Sequence, residues 1–186
     1  MVWVIGILMG LAVFLAGRWL WLTYNDLVRQ RNEMQTAWHH IETETQRRLD
    51  LIPNLVNTVR GYASHEHATL EAVTRARAAA VGATTPQQLF ATQDALTEEL
   101  GRLMFLTEAY PVLRADSGFL DLQAQLAQTE DRIAFARRYF NETARSYNTA
   151  QQQFPATLVA SAFGHTPTRQ FTAKVEADEP PMVSFQ

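Results

Sequence analysis

The 186-residue chain contains no cysteine. This excludes disulfides, thiolate metal sites, a cysteine nucleophile and a lipidated N-terminal cysteine, and it leaves the redox compartment unreadable. No basic block stands out either. Net charge is −3, with arginines interspersed among acids, which is not the footprint of a nucleic-acid binder and sets DNA and RNA aside as partners. No serine sits in a Gly-x-Ser-x-Gly elbow, and no glycine-rich loop precedes a helix to cradle phosphate. Paired Glu-x-x-His elements, which a di-iron bundle requires on two helices, do not occur. Adjacent acids such as Glu98-Glu99 and Glu130-Asp131 read as solvated or ion-paired helix surface. Internal repeats, low-complexity tracts and the two-residue alternation of half-buried strands are absent as well.

What is present begins at the N-terminus. Residues 2–22 are apolar or glycine except for Arg18, long enough to cross about 30 Å of hydrocarbon as a helix. Arg18 lies near the end of the run, where its side chain can reach headgroups, and Trp19, Trp21 and Tyr24 suit an interfacial aromatic belt. The start, Met1-Val2-Trp3, has none of the basic side chains of a signal peptide, so an uncleaved single-pass anchor is expected over residues 1–23. The basic residues near the membrane, Arg18 at the end of the apolar run and Arg29 and Arg31 after it, all lie on its C-terminal side, and the positive-inside rule then favours a cytoplasmic C-terminal domain. Gly6-x-x-x-Gly10, with Gly17 seven residues later, is a pattern that allows close helix approach and raises self-association through the anchor.

Beyond the anchor the chain reads as helix. Steps of four and three from Leu27 run through Arg31, Met34, Trp38, Ile41, Thr45, Arg48, Ile52, Leu55, Val59 and Tyr62, a seam of helical period. A second helix is expected from Ser64 as N-cap through Leu70, Val73 and Arg77 to Gly82. Thr85-Pro86-Gln87-Gln88 is the start signal of a third, with Leu89, Gln93, Leu96, Leu100, Leu103, Thr107 and Tyr110 as its seam and Tyr110-Pro111 as its end. A fourth starts near Asp116, carries Phe119, Leu122, Leu126, Ile133, Phe140, Ala144 and Tyr147, and stops at Phe154-Pro155. The expected fold is all-α: a transmembrane helix leading into an antiparallel four-helix bundle with a kinked first helix, over residues 24–163. Residues 164–186, with Pro167, Pro180, Pro181 and isolated Phe171, Val183 and Phe185, are expected to be extended or flexible.

Pro53 interrupts the first seam, and an interior proline removes a backbone hydrogen bond at a cost of roughly 3 kcal/mol. A kink there is expected, with Asp50 and Asn54 satisfying the backbone groups it frees. Arg31 and Arg48 also lie within the seam. An arginine at a core position must find partners, and Glu130, Asp131 and Glu108 are the acids within reach of plausible registers.

His65-Glu66-His67 invites a metal reading, but a zincin helix needs His-Glu-x-x-His and Thr69 holds the last position. Neighbours one and two apart on a helix do not face each other. His39-His40 point about 100° apart, and His165 lies in the tail without evident partners. No catalytic, cofactor or metal residue is therefore assigned.

The run Arg47-Arg48-Leu49-Asp50-Leu51-Ile52-Pro53-Asn54-Leu55-Val56, continued to Glu66, resembles the signature of the LemA family. So do Tyr24-Asn25-Asp26-Leu27-Val28-Arg29, Ala37-Trp38, Val73-x-x-Ala76-Arg77, Leu100-Gly101-Arg102-Leu103, Glu108-Ala109-Tyr110-Pro111, Glu130-x-x-Ile133, Tyr147-Asn148 and Phe154-Pro155. Departures are small: Tyr139-Phe140-Asn141 where the family tends to have Tyr-Asn, and Gly118 before Phe119. The resemblance implies a membrane-anchored helical domain without catalytic residues. Similar proteins are often encoded near an HtpX-like membrane zinc protease, which implies a scaffold or adaptor in bacterial envelope homeostasis. Some carry a lipobox cysteine and hence an extracytoplasmic domain. This chain lacks that cysteine, and the side of the membrane stays open. The competing reading is an accessory envelope hydrolase or metal-binding protein using His65, Glu66 and His67.

Overall fold

A computed structural model describes residues 1–168; residues 169–186, with the expected extended tail beyond Thr168, lie outside the described part. Among the described residues the chain is helical throughout and has no strand. The helices are α1 (Val2–Tyr62), α2 (His67–Val81), α3 (Pro86–Thr107), α4 (Pro111–Arg114), α5 (Ser117–Gln152) and α6 (Ala156–Ala162).

Local sequence explains most of the boundaries. At α3 the capping box forms as expected: the Gln88 amide donates to Thr85 Oγ1 at 3.2 Å, and the Thr85 amide donates to Gln88 Oε1 at 3.3 Å. Asp116 does the same for α5, its Oδ1 accepting from the Phe119 amide at 2.8 Å. These bonds satisfy first-turn donors that have no partner within the helix.

The second helix starts later than expected. Ser64 and His65 lie in a turn closed by the Glu66 amide on the Ala63 carbonyl, and helical bonding resumes only with the Leu70 amide on the Glu66 carbonyl. Ser64 is thus not its cap; Glu66 occupies that place without a side-chain cap bond. Likewise α3 ends at Thr107, and Pro111 opens the separate four-residue α4.

The chain divides into two compact units: residues 40–135, and residues 1–39 with 136 onwards. In the first of these, Ile52, Leu55 and Val59 of α1 share one core with Leu70 and Val73 of α2, Leu96, Leu100 and Leu103 of α3, Leu113 of α4, and Phe119 and Leu126 of α5. Apart from Leu113, these positions follow the four-and-three stepping, because the same face of each helix is removed from water. In the other unit, Trp38 meets Phe140 edge-on with ring centroids 5.7 Å apart. Leu27 packs with Val159 and Ala160 of α6.

Residues 2–22 behave differently. Their large apolar side chains are exposed, Trp3 and Ile7 among them. This is the one helix among those described that is long and apolar enough to cross a membrane.

Candidate functional site

Polar groups buried inside residues 40–135 form a hydrogen-bonded cluster centred on Arg48. Arg48 projects from α1 and is 3% exposed. Its Nη1 donates to Gln93 Oε1 at 3.1 Å and its Nη2 to Thr97 Oγ1 at 2.8 Å, both on α3. The same Nη2 lies 3.2 Å from Glu130 Oε2 on α5. A planar guanidinium with several donors in a fixed fork can serve three such acceptors at once, which an ammonium on a flexible stem does less well. Glu130 is one of the acids expected to pair with Arg48. Arg31 is different: it is exposed, so its place in the four-and-three stepping does not put it in the core. Four residues before Arg48, Glu44 faces Arg132 at 3.6 Å.

Pro53 lies inside α1. An interior helical amide normally bonds the carbonyl four residues earlier, and proline lacks that donor, so the Leu49 carbonyl is released. Arg77 of α2 takes the vacant place: its Nε donates to the Leu49 oxygen at 2.8 Å. Of the two residues expected to do this work, the Asp50 side chain is engaged elsewhere. Asp50 accepts from Gln46 Nε2 at 2.8 Å, and the Asn54 carbonyl accepts from Thr58 Oγ1 at 2.9 Å. For Asp50 the cause is simple: an acceptor carboxylate cannot satisfy a freed carbonyl, which needs a donor.

Two further bonds tie carboxylates to tyrosines. The Tyr62 hydroxyl donates to Asp116 Oδ2 at 3.0 Å, and the Tyr110 hydroxyl to Glu66 Oε1 at 3.0 Å. The Asp116 carboxyl is held below the usual range, first by the Phe119 amide and then by the Tyr62 hydroxyl, while both tyrosine pKa values rise because the neutral phenol donates a hydrogen bond to its carboxylate.

Glu66 is therefore turned toward Tyr110, whereas His65 and His67 are exposed. His67 lines an open surface groove with Arg60, Arg75 and Glu71, and the one carboxylate there is paired with Arg75 at 3.4 Å. Among the described residues no three His, Cys, Asp or Glu side chains converge as metal ligands would. His39 and His40 are exposed on α1.

In the unit built from residues 1–39 and 136 onwards, His165 has partners that the sequence did not reveal. Its Nδ1 lies 2.8 Å from the Tyr147 hydroxyl, and its ring packs edge-on against Tyr147 and Tyr24. The Asn148 side chain secures the same segment, accepting from the Thr168 amide at 2.8 Å and donating to the Thr168 carbonyl at 2.6 Å. Desolvation, then the nearby positive charge of Arg31, pushes the His165 pKa below its ordinary value. No sequence signal could have found this, because it depends on the chain returning after α6.

Among the described residues, a helical fold with a long exposed apolar stretch at the start of α1, and with Arg48 and Arg77 joining neighbouring helices, defines a helical protein with a candidate membrane anchor. The LemA family model matches residues 37–185, and the chain belongs to that family. It is 30% identical over 140 residues to Protein LemA of Metamycoplasma hominis, covering 73% of this chain and 63% of that protein. It is also 26% identical over 187 residues to Magnetosome protein MamQ of Magnetospirillum gryphiswaldense, covering 87% of this chain and 69% of the relative. Magnetosome protein MamQ 2 of Paramagnetospirillum magneticum matches at the same identity and coverage. The chain thus spans somewhat under two thirds of the Metamycoplasma relative's length.

Proposed function

We propose that this protein is a noncatalytic, membrane-anchored scaffold or adaptor in bacterial envelope homeostasis, held by residues 1–23 and presenting residues 24–163 to protein partners. The observation that carries the reading is the exposed apolar surface of residues 2–22, continuous with α1. Such a surface is stable only in lipid or against protein. The buried polar groups support a structural role, since Arg48 and Arg77 spend their donors on neighbouring helices.

The helical domain is read as an antiparallel four-helix bundle whose first helix bends at Pro53. Support comes from the contacts between α1 and α5: Glu44 meets Arg132 while Arg48 meets Glu130, so positions rise along one helix as they fall along the other. A cytoplasmic location of this domain is favoured by Arg18 at the end of the anchor and by Arg29 and Arg31 beyond it. The partners proposed are the bilayer, an HtpX-like membrane protease as the family resemblance implies, and further copies of the chain through the Gly6–Gly10 face.

Affinity capture from native membranes with the anchor retained tests the reading. A membrane protein recovered with the intact chain, and lost when residues 24–163 are removed, is the expected result. Stoichiometric zinc in the purified protein, lost in His67→Ala together with a hydrolytic activity, would replace it with the metal-enzyme reading.

A further inference from the structure

We propose that α6 and its flanking residues form a second membrane contact, lying in the headgroup layer beside the point where α1 leaves the bilayer. This rests on residues 2–22 being the membrane anchor.

The first observation is the level at which α6 docks. Val159 and Ala160 are buried against Leu27, and the Phe163 ring lies 4.8 Å from that of Tyr24. With α1 leaving the hydrocarbon near Leu22, a rise of 1.5 Å per residue puts Tyr24 and Leu27 about 3 and 8 Å further along the helix. The headgroup region adds about 5–7 Å on each side of the hydrocarbon. The docking site of α6 thus falls within or at the edge of that layer.

The second observation is what α6 leaves uncovered. Phe154 is 81% exposed, Leu158 60% and Phe163 55%. Leu158 on α6, with Phe154 and Phe163 flanking the helix, thus puts three largely exposed apolar side chains within ten residues, while Val159 and Ala160 of the same helix are packed. On α1, Trp19 and Trp21 are exposed as well, within two turns of the Tyr24 that meets Phe163.

The third is charge. Residues 146–168 contain no Asp, Glu, Lys or Arg, in a chain of which 19% is charged. A segment seated among headgroups loses part of its hydration, and a charged side chain there would lose more than a serine, threonine or glutamine does. On α1 the anchor carries Arg18 alone near its end, and charged residues become frequent only from Asp26 onward, with Arg29 and Glu33 within two turns of it. An apolar, uncharged, aromatic-bearing segment at this depth suits the interface between lipid tails and water.

The natural lack of cysteine makes the test direct. Full-length protein carrying a single Leu158→Cys, labelled with an environment-sensitive fluorophore, is placed in phosphatidylcholine–phosphatidylglycerol nanodiscs. Labels at Leu11→Cys and Ala124→Cys report the anchor and an exposed position on α5. Lipids with a nitroxide on the headgroup should quench the label at 158 at least twofold more than the label at 124, and soluble iodide should quench it correspondingly less. Deep-chain nitroxides should quench the label at 11. A label at 158 as open to iodide as the one at 124, with the label at 11 still quenched, overturns the proposal and leaves the anchor standing. Shielding from iodide without nitroxide quenching means that protein covers the face, either a second copy or another partner, and also overturns it. Loss of quenching at 11 removes the anchor and this inference together.

Discussion

Replacing Arg48 with methionine removes a guanidinium from the best-satisfied buried position in the chain, and its cost can be worked out partner by partner. Thr97 is exposed and its hydroxyl already donates to the Gln93 carbonyl at 3.0 Å, so water replaces the arginine there at little expense. The Glu130 side chain is 46% exposed and regains solvent, so the ion pair contributes at most about 1 kcal/mol. Gln93 has neither recourse. It is 1% exposed, and its Nε2 is without a hydrogen-bond partner among the described residues. Without Arg48 its Oε1 is stranded too, at about 1–3 kcal/mol. Methionine fills most of the volume and avoids desolvating a charge, which offsets part of this. The expected net loss for Arg48→Met is about 1–3 kcal/mol, and Arg48→Met with Gln93→Leu should return to within about 1 kcal/mol of the parent. Urea titration of the anchored protein in detergent, followed by far-ultraviolet circular dichroism, measures both. An Arg48→Met midpoint indistinguishable from the parent, or a double variant weaker than the single one, would refute the reasoning.

The remaining predictions concern other polar contacts. Arg77→Ala should cost about 1–3 kcal/mol by stranding the Leu49 carbonyl, but clearly less when Pro53→Ala restores an amide to that carbonyl; a double-mutant cycle with no coupling would contradict the pairing. Asp116 has a folded pKa below its ordinary 3.8, so its stabilisation is present above that value and is lost as pH falls through the lowered one. Acid titration of Asp116→Asn should therefore show a shallower loss of stability than the parent. His165 is depressed below 6.5, so its contribution is present above 6.5 and disappears as pH falls through the folded value. Its ring should titrate below 6.5 by NMR and move upward in Arg31→Gln; titration at or above 6.5 in the parent would exclude the environment described.

Much of the helical architecture was legible because core faces repeat every three to four residues over long stretches. Leu27, Ile41, Ile52, Leu96, Leu103, Phe119 and Ile133 are all buried where the stepping put them. Periodicity could not find α4 or α6, since four and seven residues hold too few turns to show a pattern. Arg48 was visible as a charge inside an apolar seam, and Glu130 as an acid within reach. Its bond to Gln93 was not, because the register between α1 and α3 is set by packing distant in sequence. Arg77 carried the same signal as Arg48, a cation in the seam of α2 after Leu70 and Val73. Recognising its purpose required knowing which carbonyl it would meet.

The meeting of Arg77 with the carbonyl released by Pro53 orders the mutational steps open to this protein. Residue 53 can change to a non-proline first, since the restored amide then makes the arginine dispensable. Residue 77 cannot change first without exposing a bare carbonyl in the packed interior. Descendants that keep proline at 53 are thereby constrained at 77, whereas those that lose it are free to drift there. The bond thus acts as a one-way gate on sequence divergence, and relatives should populate three of the four combinations of these two sites.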